Sequence, residues 1–421
     1  MDDSDSALYP NEDGGEQPRP AISRRLLLAG SAAAGATATA GCLGGDEDTE
    51  SGGSAEFVEK PTVYVFNTGD GTVSVIDSET DSVVATRAIG MTSSFPSNQF
   101  TPQLVADGTD PLWLNVGDGV RAVAVGRLEQ QTHIQTGSGA NWQDQTPDGE
   151  FLVVSAREPA HRQFKLDADP DSESFGDVLA ELDRSGEGGR GDNDGPGPCD
   201  VTIHPDGEYA YVPDLFGDTL TVIDIESFSI ERQIAVESTG EAPTEPWMGA
   251  ASWDGSTLLV ENNGGDGGTE SIWDVSDPAN PVERARLGQA DGLGRGPLTS
   301  EIGPDSAFGY VFTRASEDVT VLDLEAGDVV DRLDIGGRAF VGTWDVSRSK
   351  LYVPVQTSDE VAVIDAEDRT IVDRLDVGAE PYGATAAGVR GSAGGETASL
   401  SQVAEYETTY CLGQCACGHQ L

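Results

Sequence analysis

The sequence predicts an all-β fold assembled from one repeated unit, and two observations support this prediction. The first is a recurring phrase, in which a strand beginning with Tyr-Val is followed after a short turn by a strand of the type Val-x-Val-Ile-Asp. Its clearest copies occupy residues 64–77, 211–224, 310–323 and 352–365. The second is spacing, because repeats of roughly 40 to 50 residues built from short alternating strands are typical of β-propellers, in which no single small sheet buries its own faces.

The aspartate that ends the second strand of the phrase counts the repeats. Equivalent positions are Asp77, Gly126, Asp167, Asp224, Asp274, Asp323 and Asp365. No inner strand precedes the first repeat, whereas residues 382–390 form an additional one after the last repeat. The sequence therefore predicts a seven-bladed β-propeller over residues 61–390, closed by a C-terminal strand that completes the first blade and leaves no open sheet edge.

The sequence of the repeat also resembles that of a known family. Tyr64-Val65-Phe66-Asn67, the Val-x-Val-Ile-Asp strands and the Pro-x-Gly start of several inner strands are similar to those of the YVTN family of seven-bladed propellers, which is related to the cytochrome d1-like propellers. Members of these families include surface-layer proteins, binding proteins and a haem-carrying nitrite reductase domain. The resemblance thus implies the fold and leaves the activity open, since function depends on sites grafted onto a fold.

The charge balance restricts the partners. The chain has 74 acidic and 24 basic residues, a formal net charge of −50. Such a field repels nucleic acid and anionic lipid headgroups, so neither is expected to bind the surface. Carboxylates spread over every loop are typical of a protein from a salt-accumulating halophile, and a specific acidic binding patch is the alternative.

The N-terminal region is interpreted as a targeting segment and excluded from the fold. Arg24 and Arg25 precede an apolar, small-residue stretch that runs through Ala40, which resembles a twin-arginine export signal. The stretch ends in 39–42, Thr-Ala-Gly-Cys, which resembles a lipobox with Cys42 as the lipid-bearing residue. We therefore expect a signal over 1–42, a flexible tether over 43–60, and a lipid anchor at the outer face of the cytoplasmic membrane. A transmembrane anchor is the alternative, but residues 26–40 are too few to span a bilayer comfortably.

A candidate ligand site follows from aligning the starts of the inner strands, which lie around one mouth of the central channel. This alignment gives one residue per blade, here called the mouth residues: Gln103, Trp142, Cys199, Trp247, Leu298, Phe340 and Tyr382. Four are aromatic in a chain with 6% aromatic residues. The rings either stack on a flat or apolar small-molecule or protein ligand, or plug the channel by packing on one another.

The histidines argue against haem. A d1-type haem requires an axial ligand at the channel face, but His133 is predicted on an outer strand and His204 in a turn on the opposite face. His161 is in a suitable loop, where we expect it to be solvated. The acidic, Gly-rich insertion at about 168–196 is expected to be disordered. Its Asp192-Asn193-Asp194-Gly195 resembles the start of a calcium loop without the closing glutamate.

The C-terminal segment, 391–421, contains Cys411, Cys415, Cys417 and His419 after a Gly/Ser-rich linker. Three thiols and an imidazole could form a zinc site or bind copper(I). Outside the cell, thiols also tend to form disulfides, and these cysteines together with Cys199 allow three complete pairings. Both alternatives remain open from the sequence.

The sequence contains no nucleophile or acid–base constellation that we can assign. It therefore predicts a membrane-anchored, extracytoplasmic binding module rather than an enzyme, with a metal or redox role for the Cys-rich tail. One alternative is an enzyme, either a redox enzyme of cytochrome d1-like type or a lactonase-like hydrolase that uses channel carboxylates, for which Asp200 and Glu301 are the candidates. Another alternative is a structural or adhesion protein of the cell surface.

Overall fold

The structure, a computed structural model, describes residues 57–88, 99–126, 129–238 and 240–391. The described residues form seven small antiparallel sheets, so the fold is an all-β, seven-bladed propeller as predicted. The strands begin at Phe57 and end at Gly391, close to the predicted bounds of 61 and 390. The predicted signal, most of the tether, the Gly/Ser-rich linker and the Cys-rich tail lie outside the described residues.

In chain order, the strands are β1 (Phe57–Asn67), β2 (Thr72–Asp77), β3 (Ser82–Ala88), β4 (Pro111–Val116), β5 (Gly119–Ala124), β6 (Glu129–Gln135), β7 (Trp142–Gln145), β8 (Phe151–Ala156), β9 (Arg162–Asp167), β10 (Val178–Asp183), β11 (Thr202–Ile203), β12 (Tyr209–Asp214), β13 (Thr219–Asp224), β14 (Ser229–Ala235), β15 (Pro246–Ala251), β16 (Thr257–Asn262), β17 (Thr269–Asp274), β18 (Val282–Leu287), β19 (Pro297–Ile302), β20 (Phe308–Thr313), β21 (Asp318–Asp323), β22 (Asp328–Asp334), β23 (Thr343–Trp344), β24 (Lys350–Val355), β25 (Glu360–Asp365), β26 (Thr370–Asp376) and β27 (Pro381–Gly391). One short helix, α1 (Thr101–Leu104), precedes β4.

The sheets follow the repeat. From the channel outward, blade 1 is β27-β1-β2-β3, blade 2 is β4-β5-β6, and blades 3 to 7 each contain the next four strands in chain order. The predicted ring closure is confirmed, because β27 pairs antiparallel with β1 from Phe57 opposite Gly391 to Asn67 opposite Pro381. The first blade therefore combines both ends of the propeller.

Burial explains the two kinds of strand pattern. The middle strands are covered on both faces by neighbouring blades, and β12 and β20 are buried over five of six residues. The outermost strands alternate, and β14 and β22 expose every second side chain or more. Continuous apolar runs in the middle and alternation at the rim are what stacked, twisted sheets require.

The recurring aspartate has a local role in the turn between the third and fourth strands. Asp224 accepts a hydrogen bond from the backbone N–H of Ser227, at 2.7 Å, and Asp323 accepts one from Ala326, at 2.8 Å. An aspartate that bonds to a backbone amide two or three residues ahead stabilises a turn. The aspartate that recurs in the repeat is therefore a turn residue rather than part of a binding site.

Two predictions about the fold are wrong. Blade 2 has no inner strand among its described residues, because the segment expected to supply it forms α1, and the N–H of Gly388 in β27 donates to Val105 O just after that helix. The insertion at 168–196 is not disordered. It contains β10, and Arg184 directly after this strand is 1% exposed and forms an ion pair with the buried Asp214 at 2.7 Å.

Candidate functional site

Six of the seven mouth residues meet in one buried cluster. They come from the starts of the inner strands of blades 3 to 7 and from β27, and they are 9% exposed or less: Trp142, Cys199, Trp247, Leu298, Phe340 and Tyr382. Phe340 stacks on Tyr382 with ring centroids 4.3 Å apart and meets Trp142 edge-on at 6.4 Å. The alignment thus found residues that lie together, and their packing corresponds to the plug rather than to an open aromatic surface.

Gln103 does not belong to this cluster. It lies on α1, where its side chain is exposed, and α1 takes the place of the inner strand that blade 2 was expected to have. The prediction that Gln103 starts an inner strand at the channel mouth is therefore wrong. A proline such as Pro102 is compatible with the first turn of a helix. The Pro-Gln-Leu sequence therefore fits the start of a helix as well as the start of an inner strand.

The channel beside the plug contains a small cavity with both apolar and polar lining residues. Its volume is about 40 Å³, and its lining includes Asp144, Glu301, Thr299 and Ser300. A water molecule needs roughly 10 to 15 Å³ of such space, so the cavity accommodates a few waters and no sugar-sized molecule. Glu301 was a candidate from the sequence, whereas Asp144, two residues beyond the mouth residue of its blade, was not.

Asp144 and Asp200 each join two blades. Asp144 accepts hydrogen bonds from the backbone N–H groups of Gln145 at 2.9 Å and of Ile203, in the next blade, at 2.7 Å. Asp200 accepts 2.7 Å bonds from Val201 and from Gly249, again in the next blade. Both carboxyl groups therefore satisfy one backbone amide of their own blade and one of the next blade.

Burial determines the charge of these two groups. It raises the pKa of Asp144 to about 7, and the two backbone N–H bonds limit the rise. Burial also raises the pKa of Asp200 well above its usual value. Carboxyl groups removed from water without a cation nearby favour the neutral form. An acid with a pKa near 7 could act in proton transfer if a substrate reached it.

Cys199 is buried beneath the mouth rather than presented at it. Its thiol is 0% exposed, accepts a 3.2 Å hydrogen bond from Asn141 Nδ2 and lies 3.8 Å from the Arg157 guanidinium. Burial raises the pKa of the thiol to about 12, although Arg157 opposes the rise. A neutral, enclosed thiol reacts poorly with disulfides. The tail cysteines of the predicted pairings lie outside the described residues.

The histidines of the described chain do not face the cavity. His133 lies on β6 and pairs with Asp118 at 3.0 Å, and His204 lies 3.0 Å from Gly255 O. His161 is 3% exposed and its Nδ1 accepts the N–H of Gly197 at 3.3 Å, so the expectation that it is solvated is wrong. Burial lowers the pKa of His161. It belongs to the packing of the insertion against blade 4.

Within the described ranges, no three His, Cys, Asp or Glu side chains are grouped closely enough to hold a metal ion. This includes residues 192–195, where Asn193 Nδ2 donates to Arg190 O. Nor does a helix of the described chain have the length and apolarity needed to cross a membrane. The predicted metal ligands Cys411, Cys415, Cys417 and His419, the lipid-bearing Cys42, and Arg24 and Arg25 all lie outside the described residues.

A larger cavity lies at the mouth face on blade 5. The loop between β14 and β15 and the loop between β16 and β17 enclose about 360 Å³, and we call this cavity the blade 5 groove. Its lining comprises Ser238, Gly240, Glu241, Ala242, Pro243, Thr244, Gly264, Gly265, Asp266, Gly268, Thr269, Arg286 and Gln289. The two loops are fastened by the backbone bond from Gly264 N to Thr244 O at 2.9 Å. Sequence alignment of the mouth residues missed the groove, because none of its side chains occupies the aligned position.

Comparisons with known proteins support the fold. No family model matches the sequence, and no curated protein matches it. Among solved structures, the periplasmic gluconolactonase PpgL of Pseudomonas aeruginosa is similar, with 17% identity, coverage of 77% of this chain and 98% of that chain, and a TM-score of 0.57. A candidate 6-phosphogluconolactonase of Bacteroides uniformis matches with 13% identity, coverage of 78% and 100%, and a TM-score of 0.58.

A functionally unknown protein from Desulfotomaculum acetoxidans also matches, with 14% identity, coverage of 79% and 100%, and a TM-score of 0.57. Identities this low show a shared fold alone, since one propeller architecture carries many functions. The seven-bladed propeller is thus confirmed with lactonase-like neighbours, while membership of the YVTN family stays a prediction.

Proposed function

We propose that this protein is an extracytoplasmic binding module, held at the membrane by lipid on Cys42, which binds a small polar ligand in the blade 5 groove. The observation that carries the proposal is the contrast between the two cavities. The channel is plugged by the mouth residues and retains about 40 Å³, whereas the groove offers about 360 Å³. Ligand pockets usually measure roughly 300 to 1,000 Å³, so the groove alone of the two has a suitable size.

The lining of the groove suits a ligand with both donors and acceptors. It contains hydroxyl groups from Ser238, Thr244 and Thr269, the Gln289 amide and the Arg286 guanidinium, and its acids are Glu241 and Asp266. Among the described residues, no aromatic side chain lines it. A polar lining of mixed charge favours sugars, sugar acids or free amino acids over flat, apolar cofactors such as haem.

The test is a thermal-shift panel of monosaccharides, sugar acids and amino acids on the mature protein. Ala242 lies in the groove, 3.7 Å from the position of a Cβ at Gly265, so Ala242→Trp fills the space. Ala315, exposed on the neighbouring blade in the loop between β20 and β21, gives the control Ala315→Trp outside the groove. A ligand that stabilises the wild type and the control but not Ala242→Trp supports the proposal. Equal shifts in all three proteins would refute the groove as the site.

A lactonase-like hydrolase is the second candidate, because Asp144 and Glu301 line the same cavity and the pKa of Asp144 is about 7. Two of the similar solved structures are described as lactonases, which agrees with this candidate, but a shared fold does not distinguish a hydrolase from a binding module. We expect gluconolactone to be hydrolysed by the mature protein no faster than by buffer. Turnover that disappears in Asp144→Asn or Glu301→Gln would replace the binding proposal by the hydrolase. A surface-layer role stays a prediction that measuring the oligomeric state tests.

For the tail, the burial of Cys199 favours metal over disulfides. If Cys199 stays enclosed and Cys42 carries the lipid, the three thiols of the tail cannot all pair within the chain. Together with His419, the tail thiols number the four ligands of a zinc site; they belong to Cys411, Cys415 and Cys417. Elemental analysis and thiol counting on anaerobically purified protein test this. Stoichiometric zinc or copper that is lost in Cys415→Ser, Cys417→Ser supports the metal. No metal and no free tail thiols would refute it.

A further inference from the structure

Blade 5 differs from other blades at one pair of residues between its second and third strands. Glu261 in β16 lies directly opposite Glu270 in β17, one pair before the connecting loop. At the same ladder position, four other blades have apolar pairs, namely Phe66–Val73, Pro213–Leu220, Phe312–Val319 and Pro354–Val361. Two acids therefore occupy a place that in those four blades is filled by apolar side chains.

Both acids are completely enclosed. Glu261 and Glu270 are 0% exposed, and none of their four carboxyl oxygens has a hydrogen-bond partner among the described residues. Directly opposite residues of an antiparallel pair have Cβ atoms roughly 4.5 to 5.5 Å apart, so the two carboxyl groups are close enough to share one ion. Burying two unpaired carboxylates against each other is strongly unfavourable unless their charge is neutralised.

A third oxygen comes from the next blade. Ser300 in β19 is 6% exposed, and its hydroxyl has no other partner among the described residues. The hydroxyl lies near the Glu261 carboxyl and opposes the rise that burial causes in its pKa, although the two groups do not reach hydrogen-bond geometry. Blade 6 thus brings an enclosed hydroxyl near Glu261, which is one member of the glutamate pair of blade 5.

The described residues supply no positive charge at this position. Burial raises the pKa of Glu261 and Glu270, and among the described residues Glu261 is the one other charged group that acts on Glu270. A further acid, Asp200, lies near enough for Glu261 to raise its pKa. No Lys, Arg or His of the described chain acts on either glutamate. Neutralisation must therefore come from protons or from a bound cation.

We infer that Glu261 and Glu270 bind a hard divalent cation between blades 5 and 6, with the Ser300 hydroxyl as a third ligand. Carboxylate and hydroxyl oxygens select calcium, magnesium or manganese over softer metals, and two carboxylates balance a double charge. Calcium fits best, because it accepts irregular oxygen coordination completed by backbone carbonyls or water. This site is separate from the blade 5 groove and acts by joining two blades.

The test uses the full mature chain. Elemental analysis is done on the protein as purified, and thermal unfolding is measured after refolding in EDTA, with and without millimolar CaCl₂ at constant ionic strength. We expect stoichiometric calcium and a rise in Tm of about 4 °C when calcium exceeds its Kd about 100-fold. Glu261→Gln, Glu270→Gln should lose the calcium and the shift. The control Glu325→Gln, Glu367→Gln, which removes two exposed acids, should keep both.

Metal content and the response of Tm to metal ions can also overturn the inference. If the purified wild type contains no stoichiometric calcium, magnesium or manganese, and none of these ions raises its Tm after EDTA treatment, the two glutamates are neutral acids and the inference is overturned. A shift that persists in the Gln variant also overturns it, because the ion then binds elsewhere. Should the Gln variant fail to fold, metal content and calcium response of the wild type decide. Zinc or copper in the tail is distinguished by element.

Discussion

Replacing Phe340 by alanine tests whether the channel mouth is closed. The ring is 8% exposed, stacks on Tyr382 at 4.3 Å and meets Trp142 edge-on at 6.4 Å. Removing a buried phenylalanine ring loses its transfer free energy and leaves a cavity, at a cost of about 3 to 5 kcal/mol. An unfolding entropy near 0.7 kcal/mol per kelvin, expected for a propeller of this length, converts about 4 kcal/mol into a fall in Tm of about 6 °C.

The assay is differential scanning calorimetry of the mature protein at one pH and salt concentration. Val372→Ala, which shortens a side chain that is 54% exposed on the outermost strand of blade 7, is the control, and its Tm should change by less than about 1 °C. If Phe340→Ala unfolds within about 1 °C of the wild type, the ring lies at an open surface. The closed channel, and with it the reason for preferring the groove, would then be wrong.

Three further outcomes are expected. Because burial raises the pKa of Asp144 to about 7, the folded protein retains a proton that the unfolded chain releases above about pH 4. The free energy of unfolding should therefore fall as pH rises from about 4 to 7, and Asp144 should account for about 4 kcal/mol of that fall. In urea unfolding, the pH dependence of Asp144→Asn should be smaller than that of the wild type by this amount. Arg184→Met leaves the carboxylate of Asp214 buried without its cation and should destabilise by about 3 to 5 kcal/mol, whereas adding Asp214→Leu should recover most of this loss in the same denaturation assay. Cys42→Ser should move the protein from the membrane to the soluble fraction on cell fractionation; unchanged membrane association would refute the lipid anchor.

The fold could be predicted because the repeat records burial that is the same in each blade. Two middle strands covered on both faces must be apolar, and the aspartate after them must close a turn, so these positions recur in the sequence. The prediction for blade 2 was wrong because a four-residue helix replaces its inner strand, and the sequence around Gln103 does not distinguish a helix from a strand. The prediction that the insertion is disordered was wrong because one buried ion pair, Arg184 with Asp214, orders a segment whose composition is typical of disorder.

The candidate site was predicted less completely. Alignment placed six mouth residues together correctly, but the sequence could not distinguish an open ring of aromatics from a plug, because both use the same residue types. Asp144 was missed because the alignment took one position of each inner strand, and Asp144 lines the cavity from a position two residues further along. Glu261 and Glu270 look like ordinary strand acids in the sequence, since only the register places them opposite one another in the interior.

The pairing of β1 with β27 makes the last strand of the propeller a condition for its completion. Phe57 lies opposite Gly391, so this contact closes a loop of more than 300 residues. Closing a loop of that length costs about 3 kcal/mol more chain entropy than closing a ten-residue hairpin. Contacts so distant along the chain form slowly, and until they form β1 presents an unpaired edge to other chains. The ring therefore cannot be completed before the ribosome has released residue 391, and a chain shortened before Pro381 would retain an open blade prone to aggregation.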